Sequence, residues 1–195
     1  MGKEKFKNKI LELFGKSPII SYSSISKIVS NGKKEKGYSK RIINYLIKQQ
    51  KIKRLSKGCY TALNNSSLAV FCFQPAYLGL QDALSFHNLW EQETIPIIIS
   101  IRNIRTGIRK SLGSNILIKK IDKKYFFGMD YYQEGNYALP YSDIEKTFID
   151  MIYFRQQIDK ETIKEIRKKI ETKKLKKYLR EYPKKFVKRV LKLLN

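Results

Sequence analysis

The run Tyr38-Ser-Lys-Arg-Ile-Ile-Asn-Tyr-Leu-Ile-Lys-Gln-Gln-Lys-Ile-Lys-Arg-Leu-Ser-Lys-Gly-Cys-Tyr-Thr-Ala-Leu63 decides how this chain is read. Across Tyr38–Gln50, Ile42, Ile43, Leu46 and Ile47 recur at helical spacing, so one face of a helix is expected to be buried. At about 100° per residue, Arg41, Asn44 and Lys48 fall almost opposite, with Lys40, Tyr45 and Lys51 beside them. The chain continues as Lys51-Ile-Lys-Arg-Leu, turns at Ser56-Lys57-Gly58 and returns as Cys59-Tyr-Thr-Ala-Leu63, two β-prone runs around a glycine turn. A helix showing cations and an amide to solvent, followed by a hairpin with Lys53, Arg54 and Lys57, is the layout of a winged helix-turn-helix. Such a helix fits the major groove of DNA while the hairpin grips the backbone.

The residues before this run fit the same layout. Phe6, Ile10, Leu11 and Phe14 mark a first amphipathic helix that closes near Gly15 and Ser17-Pro18. Ser23 or Ser24 can cap a short second helix carrying Ile25, Ile28 and Val29. Asn31–Gly37 is a polar loop, and Ser39 can cap the third helix. Three helices and a hairpin complete the N-terminal domain at 1–63, and the tract Asn64-Asn65-Ser66-Ser67 marks its boundary.

Beyond the boundary, 68–195 reads as a mixed α/β domain with a basic helical C-terminal extension from about 156, so the fold class is α+β. Leu68–Phe73, Ile95–Ile101, Ile116–Ile121 and Tyr125–Phe127 read as strands, and Gly79–Leu89 as a helix with Leu80, Ala83 and Leu84 inward. Ser142 or Asp143 can cap a helix through Tyr153 whose stripe is Ile144, Phe148, Ile149 and Ile152. From Asp159 the pattern is helical. Ile163, Ile166 and Ile170 form one stripe, Leu175, Tyr178 and Leu179 a second, and Phe186, Val187, Val190, Leu191 and Leu194 a third after Pro183.

The formal charge of +24 is unevenly placed. Residues 1–64 carry 16 Lys/Arg against 3 Asp/Glu, residues 65–155 carry 10 against 9, and residues 156–195 carry 15 against 5. A lysine-rich proteome, from an AT-rich genome or a thermophile, would spread its bias; the near-neutral middle argues for a polyanionic partner at the ends. Cys59 and Cys72 are the only cysteines, and without metal spacing they are expected to remain unpaired thiols in a reducing cytoplasm. The opening Met-Gly-Lys-Glu-Lys-Phe-Lys has no secretory apolar core, and no apolar run approaches the ~18 residues of a bilayer span. The expectation is a cytoplasmic protein with no membrane partner.

The chemistry implied is recognition. Lys40, Arg41, Asn44, Tyr45 and Lys48 are placed to meet base edges or phosphates, since Arg pairs with guanine and Asn with adenine through two hydrogen bonds. Lys53, Arg54 and Lys57 suit phosphates, so double-stranded DNA is the expected partner and its binding should weaken with salt. His87, the sole histidine, sits on a helix whose neighbours face inward and reads as a hydrogen-bonded structural residue. Glu145 and Asp150 lie five apart on one helix without sharing a face, so they do not read as a metal pair; Glu145 reads as a first-turn carboxylate favouring the helix dipole. No glycine-rich phosphate loop or cysteine cluster is present, so no catalytic residue, metal or cofactor is expected, and the chain does not read as an enzyme. The basic C-terminal helices stay open to three readings: a solvated face, a second contact surface, or a membrane-surface contact.

Three stretches resemble one family. Tyr77-Leu-Gly-Leu-Gln-Asp-Ala-Leu-Ser-Phe-His-Asn-Leu89 is similar to the Y-S-ES-A-L-x-x-H-G-L helix of the AbiEi antitoxins of type IV toxin–antitoxin (abortive infection) systems. Tyr137-Ala-Leu-Pro-Tyr-Ser-Asp-Ile-Glu-Lys-Thr-Phe-Ile-Asp-Met-Ile-Tyr153 is similar to that family's A-x-P-EKAL-D-x-x-Y, and Arg54-Leu-Ser-Lys-Gly-Cys-Tyr60 to its R-L-x-x-G-x-Y. The resemblance covers roughly residues 5–155. Asn88 stands where Gly is common, and Ile144 where Pro is frequent. What the resemblance implies is a repressor that binds repeated half-sites in its own promoter and counters a nucleotidyltransferase-type toxin. Two competing readings are a toxin-binding module with secondary DNA contact and a cryptic nuclease using Glu145.

Overall fold

The computed structural model describes residues 2–30 and 37–194, with side chains from Phe6 onward; the polar loop expected at 31–36 lies outside the described residues. Among the described residues the chain is a mixed α/β protein with two sheets. Helix α1 (Gly2–Lys16) leads into a two-residue strand β1 (Ile20–Ser21), then α2 (Tyr22–Ser30) and α3 (Tyr38–Lys48). The hairpin follows as β2 (Lys53–Ser56) and β3 (Cys59–Thr61), and β1 pairs with β3 to give the sheet order β1-β3-β2. Ile10, Ile25, Val29, Ile42, Ile43, Leu46 and Ile52 are buried together, so the helical stripes expected of this segment do meet in one core.

Two capping expectations are corrected. The first turn of α2 is held by Ser21, whose hydroxyl accepts from the Ser24 N–H at 3.1 Å, rather than by Ser23 or Ser24. Ser39 caps nothing: Gly37 precedes α3 in a left-handed conformation (φ 95°), and the buried Ser39 hydroxyl instead meets Ser26 on α2.

The second sheet has the order β6-β7-β5-β4-β9-β8, built from β4 (Ala76–Leu78), β5 (Ile97–Ser100), β6 (Gly107–Ser111), β7 (Ser114–Lys120), β8 (Met129–Glu134) and β9 (Tyr137–Ser142). Strands β4 and β9, and β5 and β7, run parallel; the other neighbours are antiparallel. Helices α4 (Leu80–Phe86) and α5 (Ile144–Tyr153) pack on one another beside this sheet. Helices α6 (Lys160–Lys169), α7 (Thr172–Leu179) and α8 (Lys184–Leu194) add Ile166, Leu175, Leu179 and Val190 to the same core as Phe148 and Ile149. The basic tail is therefore core on one face and cationic on the other.

Two of the expected strands, Leu68–Phe73 and Tyr125–Phe127, are not strands: the first lies in a 3₁₀ helix, and the second starts at the end of a 3₁₀ turn and continues as irregular chain. Ser66–Phe73 is a 3₁₀ helix capped by Asn65, whose side chain accepts from the Ser67 N–H at 2.9 Å, and Lys123–Tyr125 is a second, capped by Asp122. An all-apolar run carries no periodicity, and the cap upstream of it decides the local winding. The turn folds back over β3 and brings Cys72 to Cys59 at a Cα separation of 6.1 Å, where the two are joined as a disulfide. This overturns the expectation of two unpaired thiols and removes the argument from thiols to a reducing compartment. It also ties the hairpin to the second core, in which Leu55 and Cys59 pack with Leu68, Val70 and Phe73. No helix among the described residues is long and apolar enough to cross a membrane.

Glycine is required where the chain before β8 passes close to α5 and α7. A Cβ at Gly128 (φ 69°) would lie 2.8 Å from Lys146 Cβ and 2.9 Å from the Tyr178 ring. Asn88, in the place where the AbiEi pattern has Gly, adopts φ 54°, a conformation that Asn accepts more readily than most residues.

Candidate nucleic-acid interface

Helix α3 presents its cations as its spacing predicts. Ile42, Ile43 and Leu46 are buried and Ile47 is half-buried, while Lys40, Arg41, Asn44, Tyr45 and Lys48 are exposed. A rod backed by three buried aliphatic side chains holds its outer face at a fixed angle to the core, which is what groove reading demands. Tyr45 is 44% exposed and is covered in part by Lys7 of α1, whose ammonium stands 3.9 Å from the ring centroid. Lys7 thereby joins the outer face, a residue that local periodicity in Tyr38–Leu63 had no means of including. The Arg41 guanidinium lies 5.9 Å from the Tyr38 ring.

The hairpin cations divide. Lys57 at the tip and Arg54 on β2 are exposed, whereas Lys53 is half-buried and donates to Asn64 Oδ1 at 3.0 Å. The tip is anchored, because the Tyr22 N–H donates to the Gly58 carbonyl at 2.8 Å. Lys53 and Arg54 line a recess of about 480 Å³ together with Ile47 and Gln50 from the end of α3, so the hairpin cations and that helix terminus share one surface. Lys57, on the hairpin tip, does not line this recess.

The motif residues of the second region meet too, but inside the molecule. Tyr77 on β4 donates to Asp150 Oδ2 at 2.6 Å, and Lys146 pairs with Asp150 Oδ1; all three are fully buried. Burial pushes the Lys146 amine down and the Asp150 carboxyl up, each opposed by the charge of the other, and it pushes the Tyr77 phenol well up. The Lys146 ammonium also faces the rings of Tyr77 and Phe127, at 5.6 and 5.4 Å. With aromatic walls and no exposed edge, this network holds β4 to α5.

Asp143 is the cap of α5 and more. It accepts from the Lys146 N–H at 2.7 Å and from the Tyr178 hydroxyl at 2.7 Å, and it pairs with Lys174 at 3.0 Å. Burial lowers the Lys174 pKa, but the hydrogen bond and charge of Asp143 more than reverse this and raise it. Glu145 stands in the first turn of α5, as expected, and its carboxylate has more than the helix dipole to satisfy. It is buried, accepting from the Glu171 N–H at 2.7 Å and standing 3.5 Å from Lys174, and so ties α5 to α7. His87 Nε2 lies 2.7 Å from the Ser142 carbonyl, and its ring packs edge-on against Phe86 and Tyr132. No group of three His, Cys, Asp or Glu suited to a metal occurs among the described residues.

No protein-family model matches the chain. No curated protein matches it either. Among solved structures it is similar to the crystal structure of the RV2827C protein from Mycobacterium tuberculosis, with a TM-score of 0.62 at 10% identity over 97% of this chain and 76% of that one. At that identity the likeness concerns the fold alone.

Proposed function

We propose that this chain is a DNA-binding transcriptional repressor of winged helix-turn-helix type that acts as the antitoxin of an AbiE-like type IV toxin–antitoxin system. In this reading α3 enters the major groove and the β2–β3 hairpin lies along the backbone. One observation carries it: the five outward residues of α3 stand on a rigid aliphatic backing, with a cationic hairpin directly after it. Arg41 and Asn44 read bases; Lys40, Lys48, Lys53, Arg54 and Lys57 hold phosphates, and Tyr45 packs along the groove wall. The repressor binds repeated half-sites upstream of its own reading frame and counters a nucleotidyltransferase-type toxin. The AbiEi resemblance supports the antitoxin half; the placement of Tyr77, Lys146 and Asp150 as a core network is compatible with those motif positions being kept for the fold.

The test is a mobility-shift titration on the duplex upstream of the gene. Arg41→Ala and Asn44→Ala should each weaken binding to that duplex about tenfold or more, at ~1–3 kcal/mol per lost two-point base contact, and leave binding to random duplex nearly unchanged. Equal operator affinity in the double variant overturns the reading. Co-expression with the adjacent nucleotidyltransferase, if one is encoded there, reads out the antitoxin half as restored growth.

A further inference from the structure

The near-neutral charge of the middle region conceals a strongly basic piece. From Thr94 to Ile121 there are six Lys/Arg and no Asp/Glu, and these residues form β5, the edge strand β6 and its partner β7. Arg102, Arg105, Lys110 and Lys120 are exposed, and none of the six cations meets a carboxylate among the described residues. Their partners are neutral: Arg102 donates to the Cys72 carbonyl, Arg109 to the Arg105 carbonyl, and Lys120 to Asn103.

This basic hairpin lies against the other one. Strand β2 contacts β6, and Lys110 and Ser111 complete the recess lined by Lys53, Arg54 and the end of α3. Three cations therefore open onto one concavity that no carboxylate lines. The buried Ser111 hydroxyl, part of the same lining, has no hydrogen-bond partner in the structure, and such a group ordinarily has one. Unpaired cations set within a Debye length of each other repel, and a polyanion is what makes the arrangement favourable.

We infer that the β6–β7 hairpin is a second phosphate-gripping arm, and that the recess between it and the β2–β3 hairpin seats a phosphate of the bound duplex. The inference rests on the DNA-binding reading above and extends its interface beyond residues 1–63. The arm carries no base-reading fork aimed by a backing helix, so it adds affinity and salt dependence without sequence preference. The disulfide from β3 to Cys72 holds the two hairpins in register, since Cys72 lies in the turn whose last residue, Phe73, packs under Arg109.

The experiment measures duplex affinity of the full chain against salt concentration, on the upstream duplex and on random duplex. The double variant Arg105→Gln, Lys110→Gln should reduce the slope of log K against log salt by about two and weaken binding roughly tenfold at ~0.1 M salt, equally on both duplexes. Lys123→Gln with Lys124→Gln removes the same charge from an exposed turn elsewhere and should change affinity less than about threefold. Arg105 lies in the irregular chain before β6, Lys110 on the sheet edge and Lys123 and Lys124 on the 3₁₀ turn, all exposed, and unchanged melting of each variant verifies the fold. A slope in the arm variant equal to that of the control overturns the arm while leaving the repressor reading intact. Failure of the parent chain to bind either duplex at any salt overturns both. Inorganic phosphate, titrated against the amide signals of Lys110 and Ser111, supplies the last arm. Saturable binding that Lys110→Gln removes, with an unchanged duplex slope, marks an isolated small-anion site and overturns the duplex contact.

Discussion

Helices α3 and α5 use the same residue types to opposite ends. On α3, Lys40 and Lys48 stand in solvent over a buried stripe of isoleucine and leucine; on α5, Lys146 has 0% exposure and lies among aromatic rings. The cause is how many neighbours cover each helix. α3 is packed on one side, against α2 and the start of the chain, so its polar face is solvated. α5 is covered by α4, α6, α7 and β9, so every residue from Glu145 to Ile152 is buried and its charges must be satisfied internally. A lysine in this chain is thus informative only once its surroundings are known: outside it is available to a polyanion, inside it fastens the fold.

The largest expected effect breaks the buried side of this contrast. Lys146→Ala leaves Asp150 buried without its partner and should cost about 3–5 kcal/mol of folding stability, read as a lower denaturant midpoint. Changing both partners, Lys146→Met with Asp150→Leu, should recover a substantial part of the loss, because no uncompensated charge is then left inside. If Lys146→Ala melts like the parent chain, the network is not holding β4 to α5.

A half-buried carboxyl sharpens the point through pH. Asp82, in the first turn of α4, accepts from the Ile97 N–H at 3.1 Å, yet burial outweighs that contact and raises its carboxyl to about 7. Between its ordinary range and that value the folded chain holds a proton that the unfolded chain has released. Its contribution to stability is therefore present at low pH and is lost as pH rises from about 4 to about 7. Asp82→Asn keeps an acceptor for Ile97 and removes the titration, so its melting temperature should gain on that of the parent across this window, by the equivalent of at most a few kcal/mol. Parallel pH profiles for the two proteins would show that water reaches the carboxylate freely.

Legibility in the sequence follows the same divide. α3 could be read because its apolar residues fall at strict helical spacing and its charges avoid that face; the hairpin could be read because Lys57-Gly58 separates two β-prone runs. The burial of Glu145, Lys146 and Asp150 could not, since local patterning assigns charge to solvent and only Tyr77, Glu171 and Lys174, brought in from other elements, explain the exception. Strands β6 and β8 escaped for a related reason: they are sheet edges with exposed residues, including Ile108 at 67% exposure, and edges lack the apolar alternation of a half-buried strand. The stretches that resemble AbiEi motifs contain Tyr77, Lys146 and Asp150, but nothing in their spacing indicates that the three form one buried network. The basic patch of β6 and β7 disappeared into an average that also counted the carboxylates of α4 and α5.

The smallest expected effect belongs to the exposed side and is the most diagnostic of it. Lys48→Gln removes a solvated charge from the last turn of α3, where it also favours the helix dipole, so stability should change by no more than ~0.5 kcal/mol. If α3 lies in a groove, the same change should weaken upstream and random duplexes by equal factors and lower the salt slope by about one, because a lysine on a phosphate carries no sequence information. A loss confined to the upstream duplex would make Lys48 a base reader and rotate α3 in the groove. A loss of stability comparable to that of Lys146→Ala would mean that α3 packs on both faces, and the contrast between the two helices would fail at its exposed end.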